Sequence, residues 1–322
     1  MKLGVFTPLF GDLKFEEMLE KVARFGLDSI ELGTGNFPGS DHLDLDALLG
    51  DDRLVAGYLK RVESAGLSIS ALSCHGNPVH PDTDLAARHH ETFQKTVLLA
   101  ERMGVPVVNT FSGCPGDSPA AKYPNWVTCA WPPDFLTVLE WQWNEVLIPY
   151  WIEQNEFLDK RGINVGLEMH PGFNVYNPET ALRLRASAGP RVGVNLDPSH
   201  LFWQGIDIPT AIKRLGREGA IFHFHAKDTS IDRANTAENG VLDVKSYARL
   251  GERSWLFRSV GWGHDLVAWR EIVSALRTVG YDYVMSIEHE DALASSDEGL
   301  AKSIAFLKEI VLREQPAEIW WA

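Results

Sequence analysis

The chain has 322 residues, 45% of them hydrophobic, and a net charge of −14 from 30 Lys and Arg against 44 Asp and Glu. That length and apolar share suit a globular protein with a sizeable core, read as one domain over residues 1–322. The acidic balance, without a Lys/Arg cluster, argues against a nucleic-acid partner and against anionic membranes.

The amino terminus reads directly as a strand, "KLGVFTPLF". Strand patterns follow at "DSIELG", "SISALSCH", "VPVVNTF", "INVGLEMH", "RVGVNLD", "IFHFHAKD" and "YVMSIEHE". Helical patterns lie between them, such as "FEEMLEKVARFG" and "DLAARHHETFQKTVLLAERMG". The helices end at Gly26, Gly66, Gly104, Gly162, Gly189 and Gly280, each just before a strand, as expected of glycine closing a helix in the left-handed conformation. Eight alternating β-α units predict a closed (β/α)8 TIM barrel. An open doubly wound sheet is the rival, but no GxGxxG follows the first strand. Long connections at 112–135 and 228–263 follow strands and so belong over the C-terminal face of a barrel. Cys74, Cys114 and Cys129 form no CxxC pair, and no stretch approaches ~20 apolar residues. Both features predict a cytoplasmic chain without a disulfide framework.

Alternation along the later strands sorts their side chains. Val165, Leu167 and Met169 share one side, and Gly166, Glu168 and His170 the other. Asn195 and Asp197 oppose Val194 and Leu196; His223 and His225 oppose Phe222 and Phe224. Ser286, Glu288 and Glu290 oppose Met285 and Ile287. On strand three, His75 shares a parity with Ser73, Ala71 and Ile69. Any one inward acid or histidine reads as a satisfied core group; four successive strand ends carrying one do not. Burying Glu168, Asp197 and Glu288 together is costly unless a cation joins them. Three carboxylates and an imidazole suit one divalent cation, Mn²⁺ first, then Mg²⁺ or Co²⁺.

This layout resembles the xylose-isomerase-like TIM barrels of the sugar isomerase/epimerase superfamily. The resemblance covers nearly the whole chain. It implies metal ligands at Glu168, at Asp197 with His200 three residues on, at His225 in "HFHAKD", and at Glu288. It also implies that Glu168 and Glu288 move the proton. Lys227 and Asp228 stand where the 3-epimerases carry Glu and Arg, which is closer to the inosose dehydratase branch. The strings "SCHGNPVHP" and "SIEHED" resemble the larger subunits of C-glycoside deglycosidases, which implies either a small second subunit or a homo-oligomer.

The expected activity is metal-dependent removal of a proton next to the carbonyl of a keto-sugar or polyol ketone, giving isomerisation or epimerisation. The alternative is β-elimination from a 3-keto-glycoside or inosose. An AP endonuclease is a weaker reading, because strand four ends at Asn109 rather than His and no basic groove is apparent. A non-catalytic sugar-binding barrel is the remaining one. His75 and Lys227 are the further catalytic candidates. His170, His200, Trp203 and His264 are the candidates for sugar binding, because sugars offer hydroxyls to imidazoles and apolar C–H faces to indoles.

Overall fold

The computed structural model describes residues 1–315 and 317–321. All eight strand expectations are met. The strands are β1 (Lys2–Phe6), β2 (Ser29–Gly33), β3 (Ser68–Ser73), β4 (Val107–Thr110), β5 (Asn164–Glu168), β6 (Val192–Leu196) and β7 (Ile221–Ala226), and then β10 (Val284–Ile287). They pair in parallel and close into a barrel, β10 lying between β7 and β1. The fold is a (β/α)8 TIM barrel.

Helices form between the strands because the sequence supplies both caps and an apolar face. The helix Thr83–Met103 starts where the Asp82 side chain accepts from the Asp84 and Leu85 amides. It buries Phe93, Val97 and Ala100 at helical spacing and ends on Gly104 at φ 68°. The five other return glycines also have positive φ.

The barrel interior is largely polar toward its C-terminal end. Strand register sets Glu168 beside Asn195, and Ser286 beside His225. Gly166 faces inward between Asn109 and Asn195; a Cβ there would stand 2.5 Å from Asn109 Oδ1. Inward alternation therefore holds on β5, β6, β7 and β10. It fails on β3, where the register with β2 shifts between Ile30 and Glu31. Ser70 consequently shares the interior with Ser73, and its hydroxyl lies 3.3 Å from His223 Nε2. The expected parity of Ala71 and Ile69 is corrected accordingly, because a bulge resets alternation.

The connection 228–263 is more than a loop. It contains an antiparallel hairpin of β8 (Asp228–Ile231) and β9 (Trp255–Arg258), with Asp228 opposite Arg258. Trp320 and Trp321 stand exposed and pack edge-on against each other. Among the described residues, no helix is long and apolar enough to cross a membrane.

Candidate metal centre

Glu168 ends β5, Asp197 caps the short helix Pro198–Phe202, His225 lies on β7, and Glu288 follows β10 directly. Each offers one donor atom, and the four atoms lie within 4.8 Å of one another. His225 Nδ1 is 3.0 Å from Glu288 Oε2 and 3.3 Å from Glu168 Oε2. These contacts are close but are not aligned as hydrogen bonds: His225 Nδ1, Asp197 Oδ2 and Glu288 Oε2 are all buried without a hydrogen-bond partner. Buried polar atoms are normally satisfied, so three orphaned atoms facing one another are a donor set for a cation. These buried acidic and imidazole groups can hold a metal ion.

The other expected residues surround this set. His200 Nε2 is 3.1 Å from Glu168 Oε1 and 3.3 Å from Asp197 Oδ2. His75 Nε2 is 3.0 Å from Glu168 Oε2. Lys227, 2% exposed, reaches to 3.3 Å from Glu288 Oε2, 3.9 Å from Asp197 Oδ2 and 2.5 Å from Glu290 Oε2. His170 donates from Nδ1 to the Pro171 carbonyl at 2.5 Å and packs against His200 with ring centroids 4.1 Å apart.

Beneath the cluster lies Glu31, a residue the sequence reading did not single out. It is fully buried. Its carboxylate accepts from Ser73 Oγ (2.5 Å), Asn109 Nδ2 (2.9 Å), Ser286 Oγ (2.6 Å) and His225 Nε2 (3.0 Å). The last contact assigns the Nε2 proton to the Glu31 side and leaves Nδ1 facing Glu168 and Glu288, the orientation a carboxylate behind a ligating imidazole imposes. The signal available in sequence was the inward acid of "SIELG" near a strand's C-terminal end.

The charges act on one another strongly. Burial pushes the Glu168 carboxyl up, but His75, His200 and His225 together hold it well below the usual range. Burial dominates at Asp197, which is pushed up to about 6 against the pull of His200 and Lys227. Glu288 is held at about 2, because Lys227 and His225 outweigh its burial. Burial lowers Lys227, yet Glu288, Glu290 and Asp197 keep its ammonium well above the ordinary lysine value. Burial, reinforced by the His200 and Lys227 charges, takes the His170 imidazole down to about 3, so it is neutral.

A cavity of about 360 Å³ opens over the cluster. Glu168, His75, His200, Lys227 and Glu288 line its polar side, and Phe6, Phe37 and Phe111 its apolar side. A larger cavity of about 510 Å³ sits at the opposite mouth; its one charged lining residue, Asp282, is engaged by the Met1 amino group and Arg277. Two expected binders are not in the cavity over the cluster. Trp203 stacks on Trp255 and lines an adjoining chamber. His264 is committed elsewhere: its Nδ1 bonds Asp228 Oδ1 at 2.8 Å and its ring stacks on Phe202. Asp228 also accepts from the amides of Gly261, Gly263 and His264 and from Trp269 Nε1, so "GWGHD" closes the hairpin insertion.

The family model for xylose isomerase-like TIM barrels matches residues 19–310. Uncharacterized protein YfiH of Bacillus subtilis (strain 168) is 39% identical over 314 residues, covering 97% of this chain and 99% of that protein. Among solved structures, the IOLI protein with a bound zinc atom superposes with a TM-score of 0.64 at 19% identity, covering 97% of this chain and 98% of that one. D-psicose 3-epimerase from Clostridium cellulolyticum H10, solved with D-tagatose, gives 0.60 at 13% identity, with 97% and 99% coverage. At such identities the structural likeness shows the fold. The family match spans most of the chain, and the chain belongs to that family.

Proposed function

We propose that this member of the family is a divalent-cation-dependent enzyme that removes the proton next to a carbonyl of a keto-sugar or related polyol ketone, giving isomerisation or epimerisation. The observation that carries the reading is the convergence of four donor atoms, three of them orphaned, at the floor of a cavity. The ligand set is Glu168, Asp197, His225 and Glu288. Three carboxylates and one imidazole favour Mn²⁺, with Mg²⁺ or Co²⁺ next. Bound there, the cation supplies Lewis acidity toward a carbonyl and its neighbouring hydroxyl.

The chain's own residues do the rest. Glu168 and Glu288 approach the pocket from β5 and β10, and both are ionised at neutral pH, as a proton acceptor must be. One takes the proton; delivery of a proton by the other to the opposite face of the same carbon gives epimerisation, and delivery to the neighbouring carbon gives isomerisation. The Lys227 ammonium beside Glu288 stabilises negative charge on a substrate oxygen. His200 Nε2 bonds Glu168 Oε1, Asn195 Nδ2 donates to Oε2, and His75 stands 3.0 Å from Oε2. Neutral His170, its Nδ1 engaged, offers Nε2 as an acceptor to a sugar hydroxyl.

A second reading, β-elimination from a 3-keto-glycoside or inosose, is favoured by one observation. Lys227 holds a buried ammonium next to the proposed base, and elimination needs a positive group to stabilise the departing oxygen. Incubation in D₂O with ketoses, inososes and 3-keto-glycosides, with and without Mn²⁺, followed by chelation and NMR, tests both readings. The expected result is cation-dependent exchange of the α-proton that Glu288→Gln removes without altering the unfolding temperature. Exchange without expulsion of a group favours epimerisation; expulsion favours elimination. No exchange with any of these substrates refutes the assignment and leaves a sugar-binding barrel.

A further inference from the structure

We infer that Lys227 restrains how tightly the acid–imidazole cluster holds its cation, and that its charge offsets the negative charge the three carboxylates leave over once the cation is bound. The inference rests on the function proposed above, because it needs the cluster to be a cation site.

Among the described residues, Lys227 is the one Lys or Arg lining the cavity over the cluster. Its ammonium lies 3.3 Å from Glu288 Oε2 and 3.9 Å from Asp197 Oδ2, two of the three orphaned donor atoms. Neither oxygen accepts a hydrogen bond. A lysine placed there for structure alone would donate to the carboxylates it faces, since buried polar atoms are normally satisfied. This one supplies charge at short range and leaves both oxygens free to bind a cation. Its shortest contact, 2.5 Å, is to Glu290 Oε2, which lies outside the donor set.

The sign of the effect follows from which interactions change on binding. The pull of Lys227 on the carboxylates exists before and after the cation enters, so it cancels from the affinity. Its repulsion of the cation exists only afterwards, so it weakens binding. A metal–oxygen bond adds ~2–2.6 Å to the 3.3 Å between Nζ and Glu288 Oε2, which puts the two positive charges within about 6 Å of each other. Even screened as in bulk water, charges of +1 and +2 at about 6 Å repel enough to lower affinity about tenfold.

The same ammonium aids the reaction. Three carboxylates and one divalent cation leave one negative charge over, and Lys227 cancels it. Negative charge that develops on the substrate as its proton leaves then meets no surplus of its own sign at the floor of the cavity. Glu290 acts in the opposite sense. It is half-exposed and adds negative charge beside the cluster without joining it.

Isothermal titration of the chelator-treated full chain with Mn²⁺, and with Mg²⁺ and Co²⁺ alongside, tests the inference at one pH and one salt concentration. Lys227→Met keeps the length of the side chain and deletes its charge. It should bind Mn²⁺ about tenfold tighter than wild type, and at the least about fivefold. Lys227→Gln repeats the measurement with a polar group if the methionine variant does not fold. Glu290→Gln should weaken binding by about twofold or more. The opposite signs separate charge from structure, because lost packing or lost positioning would weaken binding in all three variants. A gain under about fivefold in the Lys227 variants, or a loss, overturns the inference. So does a Glu290→Gln variant that binds as tightly as wild type or tighter, and this variant decides alone if neither Lys227 variant folds. Failure of the parent reading looks different: wild type then binds none of the three cations, and this inference falls with it.

Discussion

Glu31→Gln separates the buried carboxylate's effect on His225 from its effect on the fold. Four donors converge on two carboxylate oxygens: Ser73 and Asn109 on Oε1, Ser286 on Oε2, and His225 Nε2 at 3.0 Å from both. An amide turns one oxygen into a donor that must face Ser286, or Ser73 and Asn109, and it removes the charge opposite His225. Hydrogen bonds to a charged group contribute about 1.5–3 kcal/mol and neutral ones about 0.5–1.5, so the variant should lose about 2–4 kcal/mol of folding stability. Loss of an oriented partner behind a ligating imidazole typically weakens metal affinity about 10–100-fold, equivalent to about 1.4–2.8 kcal/mol. Calorimetric titration with Mn²⁺ and ¹⁵N NMR of the His225 ring read the second effect; urea unfolding reads the first. A fall in stability with Mn²⁺ affinity within about twofold of wild type would refute the orienting role and leave Glu31 as core polarity alone.

Asp228→Ala strips the acceptor shared by Gly261, Gly263, His264 and Trp269, so it should cost about 2–4 kcal/mol and expose the hairpin amides to hydrogen exchange. Gly166→Ala brings a Cβ to 2.5 Å from Asn109 Oδ1 and 3.1 Å from the Asn195 amide nitrogen; a loss of about 1–3 kcal/mol should appear in urea unfolding. Burial raises Asp291, but the Ser259 and Leu293 amides, the Ser259 hydroxyl and Arg258 hold it below the usual aspartate value. Its contribution is therefore present in full above about pH 3.9 and lost as pH falls through the lower folded value, so Asp291→Asn should flatten the acid limb of the stability–pH profile.

The barrel was legible because its signals are local. A run of strand residues, a capped helix and a return glycine recur along the chain, and each reads within about 20 residues. The inward sets on β5, β6, β7 and β10 were equally legible, since the residues from Asn195 on β6 and from His223 on β7 alternate regularly even though the two strands shift register between Val194 and Asn195. Ala71 and Ile69 were misplaced because the shift between Ile30 and Glu31 is a property of two paired strands, and neither strand alone records it. Glu31 was invisible for a related reason. Its partners lie 42, 78, 194 and 255 residues away, on four other strands, so no local pattern marks it as more than a strand acid. His264 misled in the opposite direction. A histidine just after two glycines in a rim loop looks like a binder, but the acid it serves, Asp228, comes 36 residues earlier and binds it to the insertion.

Those two neighbours, Lys227 and Asp228, join the insertion to the cluster. They follow β7 directly and point to opposite sides. The Lys227 ammonium faces Glu288 and Asp197, while Asp228 gathers the far end of the insertion through Gly261, Gly263 and His264. The hairpin closes over the same lysine, with the Phe257 ring 4.2 Å from its Nζ, and it carries Trp255 into the adjoining chamber. An ammonium buried among carboxylates needs a fixed backbone, because a small displacement would leave it or its partners uncompensated. Asp228 supplies that fixity from the next residue. One short stretch of sequence after His225 therefore sets the position of the buried cation beside the cluster and, through the insertion it anchors, the walls of the cavity next to it.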